Sequence, residues 1–222
     1  MRLKRIAILC VMMCSFTNAF SQQVEFGGLY SNCGWFDEWR NCYGYSLAYH
    51  WNKDMKKRKS FVFSHYMNWT EFDGTHGDNS DGGVYYTRVR PFNQRFALRY
   101  MKTWNVFERQ NSVFWLGYNI GGEFFHCHDK VFKIAYDYHP DGYVFSGITE
   151  YETTYNYPGF LGVGLVFEYE LKEFVNKNLS LSFRFNPEFI HMGPVLWFIP
   201  IPGYWLNCLI SVKYEISKRS DN

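Results

Sequence analysis

Ser46 and His50, in "CYGYSLAYHW", are side chains that a hydrolase uses as nucleophile and base. On a strand, four residues span ~13 Å. The two therefore cannot share a hydrogen bond, and Ser46 reads as interior filling. His191, in "FIHMGP", would need a serine or an acid from another loop, and no His-x-Ser signature accompanies it. "HCHD", His126 to Asp129, holds metal-type ligands, with His126 and His128 on one face of an extended segment. No second ligand pair follows at metal-site spacing, so these read as solvated loop residues, and neither a metal nor another cofactor is expected. "DGTHGDNSDGG" has the acids of a calcium loop without the closing Glu of an EF-hand, and reads as a flexible external loop. The basic run "KDMKKRK" reads as a solvated turn. A catalytic site needs placed partners, and none of these stretches supplies them, so catalysis is the lesser expectation.

A different set of chemical groups recurs with a strict rhythm. Arg95, Arg99, Glu168, Glu170, Arg184, Lys213 and Glu215 each stand between large apolar neighbours, as in "LGVGLVFEYELKEFVNKNLSLSFRFN". Alternation of this kind is the signature of strands with two unlike faces. Eight such segments are predicted: 24 to 30, 42 to 51, 60 to 70, 94 to 104, 112 to 124, 158 to 171, 178 to 189 and 204 to 216. In the second, Tyr43, Tyr45, Leu47, Tyr49 and Trp51 oppose Gly44, Ser46, Ala48 and His50. In the seventh, Leu179, Leu181, Phe183 and Phe185 oppose Ser180, Ser182, Arg184 and Asn186. Each is near the ~9 to 11 residues that a tilted strand needs to cross a bilayer.

The connections decide which face looks outward. Those after the second, fourth and sixth segments, "NKDMKKRK", "NVFERQN" and "KEFVNKN", are short and polar, and the others are longer. Tight turns at one end and long loops at the other are the asymmetry of membrane barrels. A closed barrel satisfies every backbone group within itself, and eight strands leave an interior just wide enough for side chains. The expected fold is therefore all-β, an eight-stranded antiparallel up-and-down transmembrane β-barrel with rings and aliphatics outward. The charged residues then form an interior network, with Glu168 and Glu170 pairing with Arg95, Arg99, Arg184 or Lys213. That network is a paired plug or, as the alternative, a narrow gated pore. Tyr43, Trp51, Trp69 and Trp104 suit the interfacial girdles.

Three stretches sit awkwardly in this scheme. His65 falls on the lipid face among Phe61, Phe63, Met67 and Trp69, so either a bulge shifts the register or the residue lies near an interface. "KVFKIAYDYHPDGYVFSGITEY" reads as a hairpin around Pro140, Asp141 and Gly142, setting Tyr138 opposite Tyr143 and Ile120 opposite Leu161. It rises beyond the membrane or, if it spans it, makes ten strands. The apolar external stretch "MGPVLWFIPIPGYW", Met192 to Trp205, suggests a contact with the outer leaflet or another protein.

Composition agrees with a membrane site for rings. Aromatic residues make up 22% of the 222 residues, against 20% charged, and a net charge of +2 gives no field for nucleic acid. "MRLKRIAILCVMMCSFTNAFSQQ" reads as a secretory signal peptide over residues 1–21, leaving a barrel domain over 22–222. Beyond it no run of ~18 apolar residues marks a spanning helix. Export places Cys33 and Cys42, flanking "GWFDEWRN", in an oxidising compartment, where they are expected to pair.

Signal, strand count, loop asymmetry and closing segment together resemble the small outer-membrane β-barrel proteins of Gram-negative bacteria, the OmpA-like and OmpW-like class. "FSQQVEFGG" resembles starts common in exported Bacteroidetes proteins. "WLNCLISVKYEI" puts Cys208, Ile210, Val212, Tyr214 and Ile216 on one face, similar to the terminal strand read by barrel-assembly machinery, although it lacks a final aromatic and is followed by "SKRSDN". The resemblance implies export through the periplasm to the cell outer membrane. It also implies partners among outer-membrane lipid, lipopolysaccharide, the assembly machinery and a protein at the external loops. Such barrels include anchors, adhesins, narrow pores and enzymes that deacylate lipid A with Ser and His, so fold does not settle function. The expected role is structural or surface-interactive, with a lipid A-modifying hydrolase or a narrow pore as alternatives.

Overall fold

Alternating Tyr, Phe, Val, Leu and Ile favour a pleated backbone, and the computed structural model is built almost wholly of such strands. It describes residues 21–33, 41–54, 56–69, 71–78, 82–191 and 203–217. The expected signal segment therefore lies mainly outside the described residues. The strands are β1 (Ser21–Cys33), β2 (Cys42–Asp54), β3 (Lys57–Asn68), β4 (Phe72–Asp78), β5 (Val84–Pro91), β6 (Asn93–Arg109), β7 (Ser112–His139), β8 (Gly142–Leu171), β9 (Leu179–His191) and β10 (Gly203–Ser217).

Eight of these, in the order β1-β2-β3-β6-β7-β8-β9-β10, form an antiparallel ring that β1 closes by pairing with β10. No described strand edge is left open inside the ring, as the alternation and loop asymmetry predict. The short connections β2–β3, β6–β7 and β8–β9 share one end with the start of β1 and the finish of β10.

Two strands do not belong to the ring. β5 pairs with the upper part of β7, and β4 pairs with β5, so β4, β5, β7 and β8 continue as a four-stranded sheet above the long-loop end. The described residues thus form ten strands, eight of them the barrel and two, β4 and β5, beside it. The expectation of a loop over "DGTHGDNSDGG" is corrected here: Phe72–Asp78 is strand β4, because the Tyr- and Val-rich β5 offers it a ladder.

The β7–β8 hairpin meets at Tyr138 and Tyr143 as expected, but Ile120 faces Val163 rather than Leu161. The ladder slips by one between Ala135 and Tyr136 and again between Glu123 and Phe124. Ser146 and Gly159 are the extra residues on β8. One slip would turn every lower side chain to the wrong face, whereas two restore it. Ile120 and Val163 both point outward, and Gly121 and Gly162 stay on the inner face.

The two faces of the ring are opposite in character. Phe26, Leu98 and Ile210 stand outward with 62%, 61% and 59% of their surface exposed, while Arg58, Arg95 and Glu168 lie inside with none. Small apolar clusters share the interior: Ala48, Val62, Met101 and Val166 at one level, and Leu29, Tyr66, Phe125, Trp205 and Leu209 nearer the long-loop end. Trp205, expected on the external apolar stretch, is instead buried inside the barrel. Gly203 and Tyr204 open β10, with Tyr204 facing outward, and residues 192–202 of that stretch lie outside the described residues.

His65 is settled by the β3–β6 register, which runs without a bulge. It stays on the outer face and is covered by its neighbours. Its ring stacks on Phe96 at 4.5 Å and meets the Tyr45 edge at 5.2 Å, with Nε2 3.1 Å from Gln94 Oε1. Stacking on Phe96 and an edge contact with Tyr45 hide a polar side chain on an apolar surface.

Candidate functional site

Inward parity on seven of the ring strands gathers the charged side chains into two layers. In the layer nearer the short turns, Arg58 reaches Glu168 at 2.5 Å and Glu170 at 2.9 Å. Arg184 bonds Glu168 at 2.8 Å and Glu25 at 2.5 Å. Lys213 pairs with Glu168 and, at 2.8 Å, with Glu170. Trp115 donates its indole N–H to Glu170 at 3.2 Å, and its ring lies 4.4 Å from the Arg58 guanidinium.

In the second layer Arg95 grips Glu123 with two N–H groups, at 2.7 and 2.8 Å, and reaches Glu188 at 3.0 Å. Arg99 bonds Glu188 at 2.8 Å and also pairs with Glu123. The Arg95 guanidinium is held between the rings of Tyr66 and Trp205, at 4.3 and 4.1 Å. Across both layers, Arg58, Arg95, Arg99, Arg184 and Lys213 balance Glu25, Glu123, Glu168, Glu170 and Glu188, and all are buried. Buried ions are tolerable only when matched and hydrogen-bonded in this way.

Of the residues expected in the network, Arg95, Arg99, Glu168, Glu170, Arg184 and Lys213 all point inward. Glu168 and Glu170 do not meet Arg95 or Arg99, which belong to the other layer. Glu215 falls outside both layers: it is half-buried at the short-turn end of β10, where its backbone N–H donates to Asn178 at 2.9 Å. Glu25, Glu123 and Glu188 were missed, as was Arg58, which the sequence reading left in the solvated run "KDMKKRK". Glu25, Glu123 and Glu188 already stood inside predicted segments, Glu188 at the parity of Arg184, and following the alternation of the third segment two residues back from Ser60 reaches Arg58.

His50 has a role that Ser46 does not. Its Nδ1 lies 2.5 Å from Ser60 Oγ on β3 and its Nε2 2.6 Å from Glu25 Oε2 on β1, a serine–histidine–acid order. With the carboxylate accepting from Nε2–H, Nδ1 accepts the Ser60 hydroxyl proton. Ser60 and His50 are fully buried, and Glu25 is also held by Arg184 and Ser211. Relative to a hydrolytic triad the two ring nitrogens are exchanged, with the serine on Nδ1 and the carboxylate on Nε2, and all three side chains are buried.

Between the layers a cavity of about 20 Å³ is lined by Ser46, Ser64, Arg99, Asn119, Arg184 and Asn186, among others. That is room for about one water. Ser46 and Ser64 hydrogen-bond each other at 3.2 Å and fill this space.

The other expected sites lie apart from the barrel interior. His126 and His128 share the outer face above the ring, bonded to Asn156 at 2.7 Å and Thr154 at 2.9 Å, and no group of metal-type ligands is present among the described residues. His191 ends β9, and its side chain lies outside the described residues. So does that of Cys33; Cys42 is buried at the start of β2 beside Tyr66 and Trp205.

No family model matches the chain, and no curated protein matches its sequence. Among solved structures it is similar to Ail, the attachment invasion locus protein of Yersinia pestis, at 9% identity and TM-score 0.47, covering 88% of this chain and 98% of that one. It is also similar to Neisserial surface protein A, at 11% and 0.47, covering 90% and 98%. A third is the N-terminal β-barrel domain of Pseudomonas aeruginosa OprF, at 8% and 0.37, covering 88% and 98%.

Proposed function

We propose that the chain is an outer-membrane barrel with a structural or surface-interaction role, anchoring the four-stranded sheet β4-β5-β7-β8 above the bilayer. The observation that carries this reading is the inverted polarity of the ring, ionic within and apolar without. In water a continuous outward belt holding Phe26, Leu98, Phe183 and Ile210 would aggregate. In hydrocarbon it is matched, and the ring closes its backbone ladder from β1 round to β10. Tyr43 and Trp69 stack at 6.3 Å at one rim, and Trp51 and Trp104 mark the other, as the two interfaces of a bilayer require.

The balanced interior favours an anchor over a pore, since a cavity of about 20 Å³ between ionic layers passes no column of water. The sealed Ser60–His50–Glu25 set likewise does not favour a lipid A hydrolase, whose substrate would approach from outside the ring. Lipopolysaccharide is the expected neighbour at the long-loop rim, and barrel-assembly machinery is the expected reader of β10. A protein partner suits the hairpin tip, where Tyr138, Tyr143, Phe145 and Ile148 are each more than half exposed.

The test is gel migration of membrane-extracted protein with and without boiling, combined with protease treatment of intact cells. The expected result is faster migration before boiling and cleavage confined to the β7–β8 tip. A mature chain that stays monomeric in buffer without amphiphile would overturn the reading.

A further inference from the structure

The outward face near the short turns gathers three lysines that no described carboxylate pairs with. Lys59 on β3 is directly opposite Lys102 on β6, and Lys57, two residues earlier on the same face, stands between Trp104 on β6 and Asp54 on β2. Lys57 and Lys59 are exposed and Lys102 is half-buried, its ammonium 5.1 Å from the centre of the Trp104 ring. Among the described residues none of the three forms an ion pair, although partly exposed lysines elsewhere do, Lys130 with Glu150 and Lys172 with Glu108. Like charges directly opposed across a ladder destabilise it. Here they are opposed, and a third lies beside them.

The surroundings are those of a headgroup rather than of bulk water. The cross-strand row runs Trp51, Lys59, Lys102, Tyr118, so the opposed lysines are bracketed by two rings. One step toward the middle of the barrel, Phe61 and Tyr100 lie 6.0 Å apart, and Trp51 joins them at 5.3 and 6.4 Å. Long lysine stems lie along such apolar surface while their ammoniums stay at the polar level.

We propose that Lys57, Lys59 and Lys102 form a binding site for the phosphodiester of a net-anionic glycerophospholipid, in the leaflet that meets the short turns. One phosphate between Lys59 and Lys102 neutralises the opposed pair, and the Trp51–Phe61–Tyr100 surface takes the glycerol and the first acyl carbons. A zwitterionic lipid offers the same phosphate but brings its own cation against the third lysine. Selection is therefore by headgroup charge.

This inference rests on the outer-membrane reading, and the experiment separates the two. The mature protein is refolded with phosphatidylglycerol and phosphatidylcholine of equal chain length, and retained lipid is counted by native mass spectrometry. The expected result is preferential retention of phosphatidylglycerol, falling about five-fold for each lysine removed in Lys59→Gln and Lys102→Gln. Lys177→Gln, at another short turn, keeps the preference. Equal retention of the two lipids, an unchanged preference in the Lys59→Gln/Lys102→Gln double variant, or displacement of the lipid by millimolar inorganic phosphate would overturn the site. Gel migration is recorded on each sample. If the wild type shows no faster unboiled band, the membrane reading itself falls. If that band is present without lipid preference, only the site does.

Discussion

Arg58 and Glu168 meet at 2.5 Å inside the barrel, from strands three places apart around the ring, and neither has any exposed surface. Glu168 also takes Arg184 and Lys213. The carboxylate is therefore the common partner of three cations drawn from β3, β9 and β10, and it ties distant parts of the ring together.

Removing that partner leaves buried positive charge without compensation. Glu168→Ala is expected to lower unfolding stability by about 3–5 kcal/mol. Urea titration of the refolded barrel in vesicles measures it, and a loss under about 1 kcal/mol would contradict the shared role.

The ion pairs fall into two separate layers, so each is expected to close the interior by itself. Trp205→Ala opens the upper layer by freeing one face of Arg95, yet the lower layer stays closed. Neither the wild type nor this variant is expected to pass steady current in planar bilayers. Porin-like conductance in either would mean that the lumen carries water.

Close strand approach makes some glycines irreplaceable. A Cβ at Gly44 would lie 1.8 Å from the His65 carbonyl oxygen, whereas one at Gly28 meets nothing within 4 Å. Gly44→Ala must push β2 from β3 and is expected to cost about 1–3 kcal/mol. Gly28→Ala should leave the urea midpoint in place. Equal effects of the two would show that the approach is not rigid.

The sheet above the ring is expected to be dispensable for closure. β7 pairs with β6 through residues up to His126, and β8 pairs with β9 from Leu161 downward. Replacing residues 131–150 by an Asn-Gly turn should preserve the faster unboiled gel band. Its loss would place the hairpin tip in the folding unit.

Between two short turns, the Lys172 ammonium bonded to Glu108 holds that carboxyl below the usual carboxylate range, and Asn105 adds a second hydrogen bond. A depressed folded-state value stabilises above the unfolded value and is lost as pH falls through the folded one. Both side chains are partly exposed, so the pair is worth at most about 0.5–1 kcal/mol at neutral pH. Glu108→Gln should show that small deficit at neutral pH and none in acid. A deficit that persists in acid would assign the effect to something other than ionisation.

Much of the ring was legible because a strand's side chains alternate with a period of two whatever its partners are. Tyr43, Tyr45 and Leu47 had to oppose Ser46 and Ala48, and the unequal connections told which face looked outward. The interior partners were not legible, because a pair such as His50 and Ser60 exists only once β2 and β3 are in register. Reasoning along one strand ruled out Ser46 as a partner of His50 and had no means of finding Ser60.

What the sequence by itself determined is a closed antiparallel wall of eight or ten strands, apolar outside and ionic inside, since patterning and turn length are local and survive any register. The tertiary structure decided the rest: which carboxylate answers which cation, where Arg58 and Trp205 point, and how two slips at Ser146 and Gly159 cancel. Those depend on the stagger between neighbouring strands, which closing the ring sets, and no single strand records it.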